Sequence, residues 1–176
     1  MPKTCTIRPV ILSDLPDILI WRNHLSVRQL MFTQHEITQT EHKSWFQKAS
    51  QDNTRRIMMV EENKQPIGFV QFSRVAIGGV ASWGFYKAPG LPKGTGRKLG
   101  VTALEYAFDV LRLRKVCGQA IESNTDSIGF HQALGFIKEG VLSKQCIDAA
   151  DLKIINFGLT GRQWALIKPH LASGTW

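Results

Sequence analysis

Short runs of alternating apolar and polar residues recur along the chain, separated by stretches where apolar residues return every three or four positions. The first pattern predicts half-buried strands and the second predicts helices with one apolar face. Residues 6–9 read as a strand that Pro9 ends. Ser13 and Asp14 then open a helix carrying Ile18, Leu19, Trp21, Arg22 and Leu25, with Pro16 in its first turn, where proline is tolerated. Residues 31–36 lack periodicity. Thr38 and Glu41 have the spacing of a capping box, and the helix that follows carries His42, Trp45 and Phe46 and ends near Ala49. His42 and Trp45, three apart, share a face, which suits a core tryptophan beside a partly exposed histidine. Residues 55–61 and 67–73 form a predicted hairpin around a turn at 63–66, and Gly78-Gly79 turn the chain into a strand ending at Lys87. A helix is predicted over 96–113, a strand over 115–122, and a short helix over 126–134 capped by Asn124 or Thr125 and stopped by Gly135. Strands over 136–141 and 153–160 and a helix over 161–170 complete the pattern.

Composition narrows the class. The 176 residues are 43% hydrophobic and 20% charged, which suits one folded domain spanning 1–176. No apolar run approaches the roughly 18 residues that cross a bilayer. The opening Met1-Pro2-Lys3-Thr4-Cys5-Thr6 lacks a secretory apolar stretch. The expectation is a soluble, cytoplasmic protein with no membrane association. Cys5, Cys117 and Cys146 are widely spaced with no Cys-x-x-Cys, so they read as small buried apolar residues. The five histidines show no pair at metal-ligand spacing on one helix, and no metal is expected. The net charge of +8 permits nucleic acid, an anionic cofactor or an anionic substrate. A long basic arm and a recognisable nucleic-acid module are both missing, and a polyphosphate small molecule suits the scattered cations at least as well.

The most informative stretch runs over 82–100. Strand-type residues Trp83, Phe85 and Tyr86 are stopped by Pro89, Gly90 and Pro92; Gly94 and Gly96 then lead into a helix, with Lys93, Arg97 and Lys98 beside them. Free N–H groups at a helix N-terminus among cations make a good phosphate site. The same residues also suit a plain turn with solvated charges. The P-loop ending in Gly-Lys-Ser/Thr is absent, and so is the three-glycine dinucleotide fingerprint.

The order of elements, together with Asn124 … Ala133-Leu134-Gly135-Phe136 and Leu91-Pro92-Lys93-Gly94-Thr95-Gly96, resembles the GNAT superfamily of N-acetyltransferases. The resemblance covers nearly the whole chain. Trp21-Arg22-Asn23-His24, Thr40 to Trp45, Gly84 to Pro89 and Ala103 to Phe108 are similar to a narrower group, the acetyltransferases of the pseudaminic-acid pathway. The implied fold is mixed α/β, a mostly antiparallel twisted sheet splayed at the acetyl-CoA site and flanked by helices. The implied activity is an acyltransferase reaction: direct transfer from acetyl-CoA to the 4-amino group of a UDP-linked amino-dideoxy sugar. Ribosomal-protein alanine acetyltransferases share the fold and stand as one alternative acceptor class; a non-catalytic module binding CoA or nucleic acid is another.

The resemblance also implies site residues. Lys93, Gly94, Thr95, Gly96 and Arg97 would cradle the CoA pyrophosphate, although the group's usual Arg or Gln at the loop start is Leu91 here and Pro92 has no N–H. Phe85 and Lys87 lie on the strand along which the thioester would sit, with Asn124 and Phe130 opposite. Glu122 occupies the position of a general base, with His42 as the rival. His131 stands where the family usually has a tyrosine that protonates the leaving thiolate; it could do that work as an imidazolium or simply pack. Arg22, Asn23, His24, Trp45 and Tyr86 would bind the acceptor, Arg22 through phosphate and Trp45 by stacking, and each could equally be a core or capping residue. The expected partners are acetyl-CoA and a UDP-amino sugar, with no nucleic acid. A homodimer through the last strands and the C-terminal helix is possible.

Overall fold

Strand pairing makes one seven-stranded sheet, in the edge-to-edge order Cys5–Pro9, Arg56–Glu62, Gln65–Ser73, Val80–Lys87, Lys115–Ile121, Leu152–Thr160, Ile137–Lys144. The computed structural model describes residues 5–144 and 152–172. Cys146 lies outside the described residues. The strands are β1 (Cys5–Pro9), β2 (Arg56–Glu62), β3 (Gln65–Ser73), β4 (Val80–Lys87), β5 (Lys115–Ile121), β6 (Ile137–Lys144) and β7 (Leu152–Thr160). Their flanking helices are α1 (Leu15–Asn23), α2 (Leu25–Arg28), α3 (Gln39–Gln51), α4 (Thr95–Glu105), α5 (Thr125–Ala133) and α6 (Gly161–Ala172). No helix among the described residues is long and apolar enough to cross a membrane.

All neighbours pair antiparallel except β4 and β5, and that exception shapes the molecule. The parallel pair lasts only from Val80–Lys115 to Ser82–Cys117. Beyond it β4 stays with β3 and β5 with β7, so the facing edges of Trp83–Lys87 and Gly118–Ile121 diverge. This is the mixed, splayed α/β sheet expected from the resemblance.

Period-two alternation sends strand side chains to two cores. On the first face Ile57, Met59 and Phe69 pack with Leu15 and Ile18 of α1 and Ala49 of α3, joined by Tyr86 and Trp45. On the second face Val70, Phe72, Trp83, Val116 and Phe157 pack under α4, α5 and α6 through Leu99, Leu104, Leu134 and Trp164. The first face is open over β5 and β7: Gln119 is exposed and donates to Asn156 at 2.8 Å, and Lys115 bridges Glu139 at 2.6 Å across Gly158.

The hairpin turn at Asn63-Lys64 has φ of 52° and 66°, the left-handed pair a two-residue hairpin requires. The Thr38–Glu41 capping box forms as expected. Most boundaries shift by a residue or two from the sequence expectation, and four differences have a structural reason or a larger extent. The first helix ends at Asn23 because His24 turns to ψ 135°, and the chain restarts as the short α2. Helix α4 begins at Thr95, so Gly96 lies within its first turn rather than in the loop. Past Glu105 it becomes a π-helical turn, Tyr106–Val110, closed by Arg112 at φ 55°. Strand β6 runs three residues beyond its expected end at 141. Cys117 is half-buried and turned to the first face near Lys115, Glu139 and Arg74, not enclosed as a core residue, because its β5 neighbours Val116 and Gly118 take the second face.

Candidate active site

The loop between β4 and α4 presents bare backbone donors. Gly94 caps α4 at φ 86°, with no side chain covering the first turn. An α-helix leaves its first N–H groups without intrahelical partners, so this end attracts an anion. Lys93 is exposed and unpartnered among the described residues. The other cations serve as braces. Lys87 Nζ donates to the Leu91 carbonyl at 3.1 Å, and Lys98 pairs with Glu62 at 2.5 Å. Arg97 donates to the Leu171 carbonyl of α6. The structure thus gives Lys87 a loop-holding contact and ties Arg97 to α6, while Lys93, Gly94, Thr95 and Gly96 shape the exposed helix end.

Gly100 escaped the sequence reading. A Cβ there would come within 2.6 Å of Leu134 and 2.7 Å of Phe130, so a bare backbone is what lets α4 lie close against α5. The four-residue interval between Gly96 and Gly100 was the available signal. Phe130 sits 3.7 Å from the Cβ position of Gly96 and 4.7 Å, ring to ring, from Phe85, so both line the second-face side of the splay. Asn124 Oδ1 caps α5 by accepting from Ser127 N at 3.0 Å.

His131 sits deep in the second core. Its ring is 1% exposed, stacked on Phe157 at 4.7 Å and edged by Trp83, Phe130 and Phe136. Nδ1 donates to the Ser127 carbonyl at 2.7 Å, and Nε2 accepts from the Trp83 indole N–H at 3.2 Å. That pairing fixes the neutral Nδ1–H tautomer. Burial pulls the pKa down from 6.5 to about 4, with the Ser127 bond pulling partly back. A neutral ring with both nitrogens engaged has no proton to give a thiolate, so the structure makes His131 a core residue.

The first-face side of the splay holds the acceptor candidates. Asn23 spends both ends of its amide on the Ile37 backbone, donating and accepting at 2.8 Å, which clamps the 29–37 loop. His24 is exposed and caps α2 through Ser26. These contacts give Asn23 and His24 local structural work. Arg22 differs. One guanidinium nitrogen, Nη2, donates to the Thr33 carbonyl at 2.7 Å, while Nη1 is buried and has no hydrogen-bond partner among the described residues. Burial lowers the Arg22 pKa, and the nearby Tyr86 partly opposes it; burial pushes the Tyr86 phenol up.

A ladder of rings leads outward from Tyr86: Phe69 at 5.0 Å, Trp45 at 5.8 Å from Phe69, and His42 stacked on Trp45 at 5.2 Å. The exposures reverse the sequence reading, for His42 is buried at 6% and Trp45 is half-buried. Trp45 also edges an outer groove of about 640 Å³ along α3. Burial holds the His42 pKa below its usual value. Glu122 lies just past β5, its backbone N–H bonded to the Lys153 carbonyl and its carboxylate 54% exposed, 3.8 Å from Lys153 Nζ. Among the described residues, no three His, Cys, Asp or Glu side chains gather as a metal would need.

A sheet splayed between its fourth and fifth strands, with a bare helix N-terminus at the mouth, is the frame that the sequence resemblance implied. Residues 5–137 match the acetyltransferase (GNAT) domain family, and the chain belongs to that family. Its donor is acetyl-CoA, and the loop and splay suit that molecule's pyrophosphate and thin arm. Among curated proteins it is similar to the acetyltransferase PseH of two Campylobacter jejuni strains, 81-176 and NCTC 11168. Each is 29% identical over 115 residues, covering 65% of this chain and 71% of the relative. Among solved structures it resembles the spermidine N-acetyltransferase of Vibrio cholerae in complex with CoA and spermine, with a TM-score of 0.82. The identity is 24%, over 92% of this chain and 98% of that one, a likeness of fold.

Proposed function

We propose that this enzyme acetylates the 4-amino group of a UDP-linked amino-dideoxy sugar, in a pathway of the pseudaminic-acid type. The observation that carries the reading is Arg22 Nη1, a buried cationic donor without a partner among the described residues, held beside Tyr86 on the first face by the Thr33 carbonyl. Guanidinium forks suit phosphate oxygens. The likeness to PseH and the net charge of +8 support an anionic acceptor over a polycation.

The residues divide the work as follows. Lys93 and the α4 N-terminus hold the pyrophosphate. The unpaired β4 edge at Phe85 and Lys87 offers backbone N–H to the thioester carbonyl as it gains negative charge. Tyr86 and Trp45 supply ring faces to the acceptor. The amine loses its proton to Glu122 through water, or to His42, which burial keeps neutral and ready to accept. Nitrogen bonds to the acetyl carbon, the C–S bond breaks, and water protonates the thiolate.

The test is release of free CoA thiol with three acceptors in parallel: the UDP-4-amino sugar, a basic N-terminal peptide and spermidine. Release with the sugar alone is expected. Release with the peptide or spermidine alone would replace this reading, and acetyl-CoA binding without turnover on any acceptor would point to a binding module. Glu122→Gln and His42→Phe separate the two bases, since only loss of the working one flattens the acid limb of the rate profile.

A further inference from the structure

Gln71 is a polar residue midway along β3, between the buried Val70 and Phe72. It faces the first side of the sheet, with Phe69 and Tyr86, opposite Gly84 in register. Gly84 lies two residues past the last β4–β5 pair, within the splay. A Cβ on Gly84 would point at the Gln71 amide, 3.5 Å from Nε2, so the bare glycine leaves the space over that amide clear. Gln71 Oε1 is buried and accepts no hydrogen bond among the described residues. Buried acceptors are almost always satisfied, and an orphan at the opening of a reaction cleft calls for a donor that arrives with the substrate.

We propose that Gln71 Oε1 receives an N–H of the acceptor amine and holds its nitrogen over the splay. The two orphaned atoms found on this face among the described residues are then complementary in kind: Arg22 Nη1 donates to the anionic part of the acceptor, and Gln71 Oε1 accepts from its amine. An amide oxygen accepts from ammonium and free amine alike but takes no proton, so Gln71 is a positioning residue, and deprotonation stays with the base. The aim it imposes matters because attack needs the nitrogen near the acetyl carbon and correctly oriented. The inference rests on amine acetylation at the splay and not on the identity of the sugar.

Gln71→Leu and Gln71→Glu are compared with wild type using whichever amine the wild-type enzyme acetylates in the three-acceptor assay. A wild type that ignores the sugar therefore overturns the sugar reading and leaves this comparison intact. Gln71→Leu is expected to lower kcat about tenfold or more, with KM for acetyl-CoA unchanged. Gln71→Glu keeps an acceptor oxygen. It is expected to recover most of the rate at high pH, with the acid limb moved up by about one unit, because a carboxylate beside the amine favours its protonated form. Leu and wild type agreeing within twofold would overturn the proposal. So would a Glu variant that loses rate without a shifted profile, or equal loss of acetyl-CoA binding in both variants, either of which marks a packing role.

Discussion

At Gly118 an added methyl would need space already held by two rings: its Cβ would lie 2.3 Å from His131 Nε2 and 2.7 Å from Trp83 Nε1. Gly118→Ala is therefore expected to cost about 2 kcal/mol in denaturant unfolding, the range for an overpacked core. The ring that makes Gly118 necessary also gives the fold a pH dependence. His131 titrates at about 4 when folded and near its ordinary 6.5 when unfolded, so between those values the unfolded chain binds the extra proton. Its contribution is full above 6.5 and falls away as pH drops, by about 2 kcal/mol from pH 8 to pH 5. His42 adds in the same direction. Urea unfolding at the two pH values should show the loss, and His131→Phe should shrink it. The His131 position in the Asn124 to Phe136 stretch was legible, and the family habit of a catalytic tyrosine there suggested chemistry. What the sequence could not show was Trp83, 48 residues away, donating to the same ring. Gln71 was invisible for the opposite reason, since a polar residue on a strand ordinarily faces water.

Turns, caps and the hairpin were legible because neighbours in the chain decide them. Asn63-Lys64 and Thr38–Glu41 need nothing distant. The break at His24 was not, because Asn23 must reach Ile37 to clamp the loop there. Asn23→Ala removes two bonds, each worth about 1 kcal/mol. It should make residues 29–37 faster in hydrogen exchange and more open to protease, with the core transition little moved. The start of α4 was read one residue late, because Gly94 rather than Gly96 takes the left-handed turn. Gly94→Ala meets open space but a strained φ, at a cost of about 1 kcal/mol. The loop should shift and raise KM for acetyl-CoA severalfold, with kcat nearly kept, in initial-rate measurements.

Across the whole molecule the charge of +8 acts on encounter more than on fold. The Debye length shrinks to about 3 Å in 1 M salt, so KM for an anionic nucleotide-sugar acceptor should climb severalfold between 0.05 and 0.5 M salt, and a neutral amine should show no such climb. The splay itself is a long-range product of where two strands part, which no local pattern announces; it was reachable only through the resemblance. The bare α4 N-terminus belongs to the second face, and the unpaired Arg22 and Gln71 atoms belong to the first. The gap between β4 and β5 is thus a window with a separate doorway on each side. With the carrier and the acceptor on opposite sides, as proposed, neither guest would have to wait for the other, and a spent carrier could depart while the next acceptor is already seated. Double-reciprocal plots should intersect, and free CoA should compete with acetyl-CoA but not with the amine.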